Sequence, residues 1–96
     1  AVYNGFSVGS VTGGYYGGGS SRFNVDFGAK TISGTVSNAA YSADLRGTIN
    51  GASFSGAHNG VNMSGNFYGP NAAELGGVYS GTSNGLPVAG SFGAKR

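Results

Sequence analysis

Tyr41-Ser42-Ala43-Asp44-Leu45-Arg46-Gly47-Thr48-Ile49-Asn50-Gly51-Ala52-Ser53-Phe54-Ser55-Gly56-Ala57-His58-Asn59-Gly60-Val61-Asn62-Met63-Ser64-Gly65-Asn66-Phe67 is the stretch that decides the fold. Its side chains alternate with a period of two, the mark of a half-buried strand. Tyr41, Ala43, Leu45, Gly47 and Ile49 fall on one face, and Ser42, Asp44, Arg46 and Thr48 on the other. Asn50-Gly51 and Asn59-Gly60 are two-residue hairpin signals, because a type I′ turn requires positive φ at both central positions. With those corners, Ile49 faces Ala52, Gly47 faces Phe54 and Leu45 faces Gly56 across the first hairpin. The second hairpin sets His58 against Val61, Gly56 against Met63, Phe54 against Gly65 and Ala52 against Phe67. Both turns place the large residues opposite small ones on a single face, as an interlocking core requires.

Working outward, Thr31 to Ser37 repeats the alternation with Ile32, Gly34 and Val36 inward. Ser21 to Gly28 reads as a strand with Phe23, Val25 and Phe27 inward, and Val88 to Ala94 as a last strand with Val88 and Phe92 inward. Val2 to Thr12 is a strand of undetermined face, and so is Gly76 to Gly81. Gly13 to Ser20 and Gly69 to Leu75 are the only long interruptions. The expected fold is all-β: a small, closed, eight-stranded antiparallel up-and-down barrel, soluble, with an apolar interior and no exposed edge. A narrow barrel has no room for a large side chain at every inward position, which accounts for the 21 glycines.

The 96 residues make one domain, residues 1–96, with no space for a second catalytic one. No apolar run approaches the length of a membrane-spanning helix, and an intact secretory signal is not visible, so Ala1 is expected to be a processed or excised start. There is no cysteine to form a disulfide, a thiolate metal site or a lipid anchor. The net charge of +2 comes from scattered residues, too thin a footprint for nucleic acid. A lipid-facing barrel needs strands of roughly 9 to 11 residues with a smooth apolar band. The glycine-notched apolar face suits an interior instead.

The run Phe67-Tyr68-Gly69-Pro70-Asn71-Ala72-Ala73-Glu74-Leu75-Gly76-Gly77 couples a strand, a proline-started connection and a second strand. With Phe23-Asn24-Val25-Asp26-Phe27, Lys30, Ile32-Ser33-Gly34 and the ending Phe92-Gly93-Ala94-Lys95-Arg96, it resembles the C-terminal β-barrel domain of transferrin-binding protein B-like bacterial surface lipoproteins. The resemblance covers nearly the whole chain and implies a C-terminal domain or a minimal family member. It implies display on the outer surface of Gram-negative bacteria or release from it, and host interaction through binding of host proteins, their metals or haem. Larger members add a handle domain beside each barrel and a lipidated cysteine; the 96 residues contain no cysteine and are expected to be filled by the barrel. In the signature, Pro70 presets φ, Asn71 can bond nearby amides, and Glu74 lies within a turn of that start. These residues shape a connection, and an outer-membrane translocation factor is a candidate partner for them.

Tyr15 and Tyr16, flanked by Gly13-Gly14 and Gly17-Gly18-Gly19, are the candidate partner-binding pair, since amphipathic aromatics on a glycine-rich loop adapt to a protein surface. The competing role for one of them is a lid folded back on the barrel. His58, the only histidine, is the weak candidate for haem or metal, because no second histidine or cysteine completes the coordination. Met63 is a gap-filling core residue rather than a thioether ligand. Asp26, Asp44, Glu74 and His58 are the only acid or base candidates near neutrality, and no nucleophile partners them, which argues against an enzyme. The expected function is a non-enzymatic binding or export-recognition barrel in iron or haem acquisition, without a resident cofactor. The alternatives are a structural barrel supporting a neighbouring ligand-binding domain, a small haem carrier, or an adhesion and colonisation factor.

Overall fold

Two-residue alternation turns nearly the entire chain into strand. The computed structural model describes residues 1–96. Its elements are β1 (Val2–Val11), β2 (Tyr15–Asp26), β3 (Thr31–Ser37), β4 (Ser42–Asn50), β5 (Ser53–His58), β6 (Val61–Tyr68), a 3₁₀ turn (Pro70–Ala72), β7 (Glu74–Ser83) and β8 (Leu86–Lys95). Each strand pairs antiparallel with its sequence neighbour, and β8 returns to β1 to close the barrel. The cylinder measures 39 × 21 × 15 Å. No edge strand is left to recruit another chain.

The core is a column of large residues set between glycines. Phe23 lies opposite Gly34, Leu45 opposite Gly34 from the other side, Phe54 opposite Gly65, and Phe92 opposite Gly77. The rings touch in series: Phe23 to Phe92 at 4.8 Å, Phe92 to Phe54 at 6.3 Å, Phe54 to Phe67 at 5.3 Å and Phe67 to Tyr3 at 6.1 Å between centroids. Tilted and offset rings at such spacings are favourable beyond the area they bury. The glycines are sterically obligatory here. A Cβ on Gly65 would stand 2.5 Å from Phe54 Cζ and 2.2 Å from the Gly76 carbonyl oxygen.

The second Asn-Gly corner follows its expected geometry: Asn59 and Gly60 both have positive φ, at 50° and 80°, and His58 faces Val61. The first corner is displaced. Asn50 pairs with Ser53, so Gly51 (φ 63°) and Ala52 form the corner, and Ile49 faces Phe54 instead of Ala52. Positive φ at the first central position alone is the type II′ arrangement, which also matches the twist of the flanking strands. The slip is by two residues, so no side chain changes face. It gains a β-branched–aromatic cross-strand pair, Ile49 with Phe54, and a bond from Ser53 Oγ to the Asn50 carbonyl at 2.9 Å.

Three further expectations are corrected. Only residues 12–14 form the turn after β1, and the glycine-rich segment that reads as a loop is strand, with Ser10 paired to Tyr16 and Ser7 to Gly19. Glycines carry no side-chain pattern, yet their amides complete the ladder. The interruption before β7 is likewise shorter, because Glu74 and Leu75 already pair with Tyr68 and Phe67. Phe27 lies beyond the end of β2, 43% exposed, with its ring 5.3 Å from that of Phe67 at the barrel mouth.

Replacing Phe54 by Ala removes the ring that bridges Phe67 and Phe92, and is expected to cost ~3–5 kcal/mol in urea unfolding. Gly65→Ala is expected to cost at least ~1–3 kcal/mol by overpacking, although alanine has the higher intrinsic propensity for a folded strand. Stability equal to the wild type in either variant would contradict the interlocking.

Candidate partner-binding surface

The hairpin corners sort the candidate residues to opposite ends of the barrel. At one end lie residues 12–14, 38–41, 59–60 and 84–85; at the other lie 27–30, 51–52, 69–73 and both termini. Tyr15, Tyr16 and His58 are at the first end, and the Phe67 to Gly77 signature is at the second.

Because Tyr15 and Tyr16 open β2, alternation sends them to opposite faces. Tyr15 turns inward, half-buried at the mouth, and its hydroxyl donates to the Gly18 carbonyl at 3.4 Å. Tyr16 points outward and is 80% exposed. Beneath Tyr15 is a tyrosine pair that sequence reasoning missed. The Tyr41 hydroxyl donates to the Ser10 carbonyl at 3.2 Å and sits 2.7 Å from the Tyr79 hydroxyl. Tyr41 has one proton to give, so Tyr79 is the donor of the pair. Burial raises the Tyr79 pKa well above its ordinary value, reinforced by the hydrogen bond to Tyr41 and by the neighbouring Tyr41 and Tyr15 charges. Gly9 makes the space, since a Cβ there would lie 2.4 Å from both hydroxyl oxygens. The pair was illegible because Gly76, Gly77 and Gly81 interrupt β7, leaving no alternation from which to infer that Tyr79 faces inward.

His58 ends β5, half-buried at the same mouth. No group of three or more His, Asp or Glu side chains converges anywhere in the chain. Asp26 accepts from the Ala29 amide at 2.9 Å and Asp44 from the Thr35 hydroxyl at 3.1 Å, both structural uses on the exterior.

The signature closes the far end. Phe67 and Leu75 are buried, Tyr68 and Glu74 exposed, and Gly69 (φ 80°) leads into the Pro70–Ala72 turn. Asn71 adopts a left-handed conformation, φ 56° and ψ 34°, so its contribution is tolerance of that backbone rather than a bond to nearby amides. Ala72 is left-handed too, at φ 51°. Its carbonyl accepts from the Tyr3 hydroxyl and from Arg96 Nε, while the Arg96 amide donates to the Ala73 carbonyl at 3.1 Å. The Arg96 guanidinium lies 5.6 Å from the Tyr3 ring centroid and 5.9 Å from that of Phe27. Cation–π contact and hydrogen bonds together hold the strained turn across the mouth.

The chain is thus a small, closed, eight-stranded antiparallel barrel locked at one end by such a connection. Residues 2–96 match the family model of the C-lobe and N-lobe beta barrels of Tf-binding protein B, and the chain belongs to that family. Isotype 1 transferrin binding protein B from serogroup B Neisseria meningitidis is similar at 30% identity, covering 100% of this chain and 24% of that one, with a TM-score of 0.76. A transferrin binding protein B from Haemophilus parasuis Hp5 is similar at 27% identity, over 99% of this chain and 26% of that one, with a TM-score of 0.72. The N-lobe domain of lactoferrin binding protein B from Moraxella bovis, at 20% identity over 99% of this chain and 58% of that one, shares the fold with a TM-score of 0.70. The chain thus spans about a quarter of the length of the first two relatives. No curated protein matches it.

The raised Tyr79 pKa has a thermodynamic consequence. The folded state holds this proton more tightly than the unfolded chain, so the stabilisation is fully present below ~10, the ordinary tyrosine pKa, and is lost as pH rises above it. Thermal unfolding between pH 9 and 11 is expected to show a steeper decline for the wild type than for Tyr79→Phe, by up to ~1.4 kcal/mol per pH unit. Parallel curves would show that the hydroxyl pair is not coupled to folding.

Proposed function

We propose that this barrel is a non-enzymatic binding module of a Gram-negative surface-exposed protein that engages a host iron-carrying protein. The observation that carries the reading is Tyr16. It is a large aromatic 80% exposed, outward on the first residues of β2, beside Gly17, Gly18 and Gly19, whose lack of side chains leaves the ring free to meet a flat partner. Tyrosine on such a site supplies contact area at low entropic cost. Family membership supports the host-protein side of the proposal, since the relatives are transferrin and lactoferrin binding proteins. On this reading Tyr15 is the lid of the barrel mouth and Tyr16 the contact residue.

A second reading has its own support: a barrel spanning about a quarter of its relatives can serve chiefly to hold a neighbouring ligand-binding domain. Interferometry with the immobilised barrel separates the two. Iron-loaded transferrin, lactoferrin and haemoglobin are the probes, at up to about 10 μM. Binding to one of them, weakened at least ~10-fold by Tyr16→Ser with an unchanged melting temperature, is the expected result. Absence of binding to all three would overturn the contact role and leave the supporting one.

A further inference from the structure

The eight charged side chains are distributed unequally around the barrel. Arg22, Asp26, Asp44 and Arg46 lie on the outer faces of β2 and β4. From β5 round to β1 the outer wall has charge only at its rim, where Glu74 faces Lys95 in register. That rim row continues on both sides, Tyr68 beside Glu74 and Asn4 beside Lys95. The next row inward is Asn66, Gly76, Gly93 and Phe6, with the two glycines directly paired on the middle strands. Phe6, 60% exposed, leans over Gly93, where a Cβ would stand 2.8 Å from its Cε1 and Cζ. Tyr68, 54% exposed, leans toward Gly76 from the opposite side, 3.6 Å from the place of a Cβ. The result is an open groove between two aromatic rings, floored by glycine backbone and ended by Asn4, Glu74 and Lys95.

We propose that this groove binds a neutral saccharide, with a pyranose face packed on the Phe6 and Tyr68 rings and its hydroxyls bonded to Asn4, Glu74 and Lys95. The chemistry of the rim supplies the argument. Glu74 can only accept, Lys95 can only donate, and Asn4 does both, a mixture that suits hydroxyl groups, which also do both. The opposite charges of Glu74 and Lys95 cancel, so the groove offers no net attraction to an ion. Aromatic walls with a few convergent polar groups are the ordinary composition of a small-molecule site. An extended peptide gains less here, because the amides and carbonyls of the floor are committed to the β6, β7, β8 and β1 ladders and cannot accept another strand. The site is independent of Tyr16, which lies at the other end of the barrel on β2.

The test is a titration of the ¹⁵N-labelled barrel with N-acetyllactosamine, chitotriose and maltotriose, each to about 10 mM, followed by amide shifts. At least one saccharide is expected to move the signals of Phe6, Tyr68, Gly76, Gly93 and Lys95 while leaving the Tyr15 to Gly19 segment still. Tyr68→Ser and Phe6→Ser are each expected to weaken that binding at least ~10-fold, as removal of an aromatic anchor does. Phe6 shields Gly93, so Asn4→Ala serves as the variant that leaves both rings packed, and it is expected to weaken binding at least ~3-fold. Silence with all three sugars, shifts centred elsewhere, unchanged affinity in Tyr68→Ser, or a response to a proline-rich peptide alone would overturn the assignment. The two readings are separated by their variants, because Tyr16→Ser leaves this groove intact and Asn4→Ala leaves Tyr16 in place.

Discussion

Everything in this barrel depends on bulky side chains entering spaces that only glycine can leave open. Phe23, Leu45, Phe54, Phe92 and Tyr79 each face a glycine on a neighbouring strand. Strand spacing is set by the backbone ladder and cannot expand to admit a second large residue. The meshing therefore determines register as well as packing. A one-residue slip would turn the aromatic column to solvent and bring polar residues such as Asp44 and Arg46 inward, where their desolvation is costly. The displaced first hairpin shows the rule at work: its two-residue slip changes partners but keeps Phe54 against Gly65, and the fold accommodates it.

How much was legible follows directly from which positions carry a side-chain signal. Within the strands from Thr31 to Phe67 every inward position except His58 is apolar or glycine, and there the inward set and the second corner were legible in the sequence. Where glycine occupies both faces the signal vanishes. In Gly17 to Gly19 it made strand look like loop, and in Gly76 and Gly77 it hid the inward orientation of Tyr79. Phe27 misled for the opposite reason: its parity matches Phe23 and Val25, but β2 ends at Asp26, whose side chain accepts the Ala29 amide and turns the chain away. The candidate pair Tyr15 and Tyr16 was visible as residues, whereas its division between mouth and exterior required knowing that β2 had already begun.

The two ends of the cylinder are finished by different physics. At the signature end, a left-handed Asn71-Ala72 turn is strained and is held by donors from remote parts of the chain, Tyr3 and Arg96, converging on one carbonyl. That convergence ties the first strand, the last residues and the β6–β7 connection together, so the signature is best understood as a closure device. At the other end the closure is the Tyr41 and Tyr79 hydroxyl pair, anchored on the Ser10 carbonyl, in space cleared by Gly9. A phenol pair tolerates water nearby and retains its bonds, which an aliphatic plug at an open mouth would not.

Closure at both ends and around the sheet leaves few places where function can reside. The inward positions are committed to meshing or to the hydroxyl network, and the 68 backbone hydrogen bonds leave no strand edge on which a partner could add. On the proposed binding role, contacts come from outward residues and corners, and among these the large aromatics are scarce: Phe6, Tyr16 and Tyr68 are the exposed rings on strands. Each has glycine beside it, Gly93 for Phe6, Gly17 to Gly19 for Tyr16 and Gly76 for Tyr68, so the same shortage of side chains that lets the interior close also leaves room around the exterior rings. A fold that must be rich in glycine for packing thereby gains isolated aromatic platforms on its surface, whose replacement leaves the meshed core untouched.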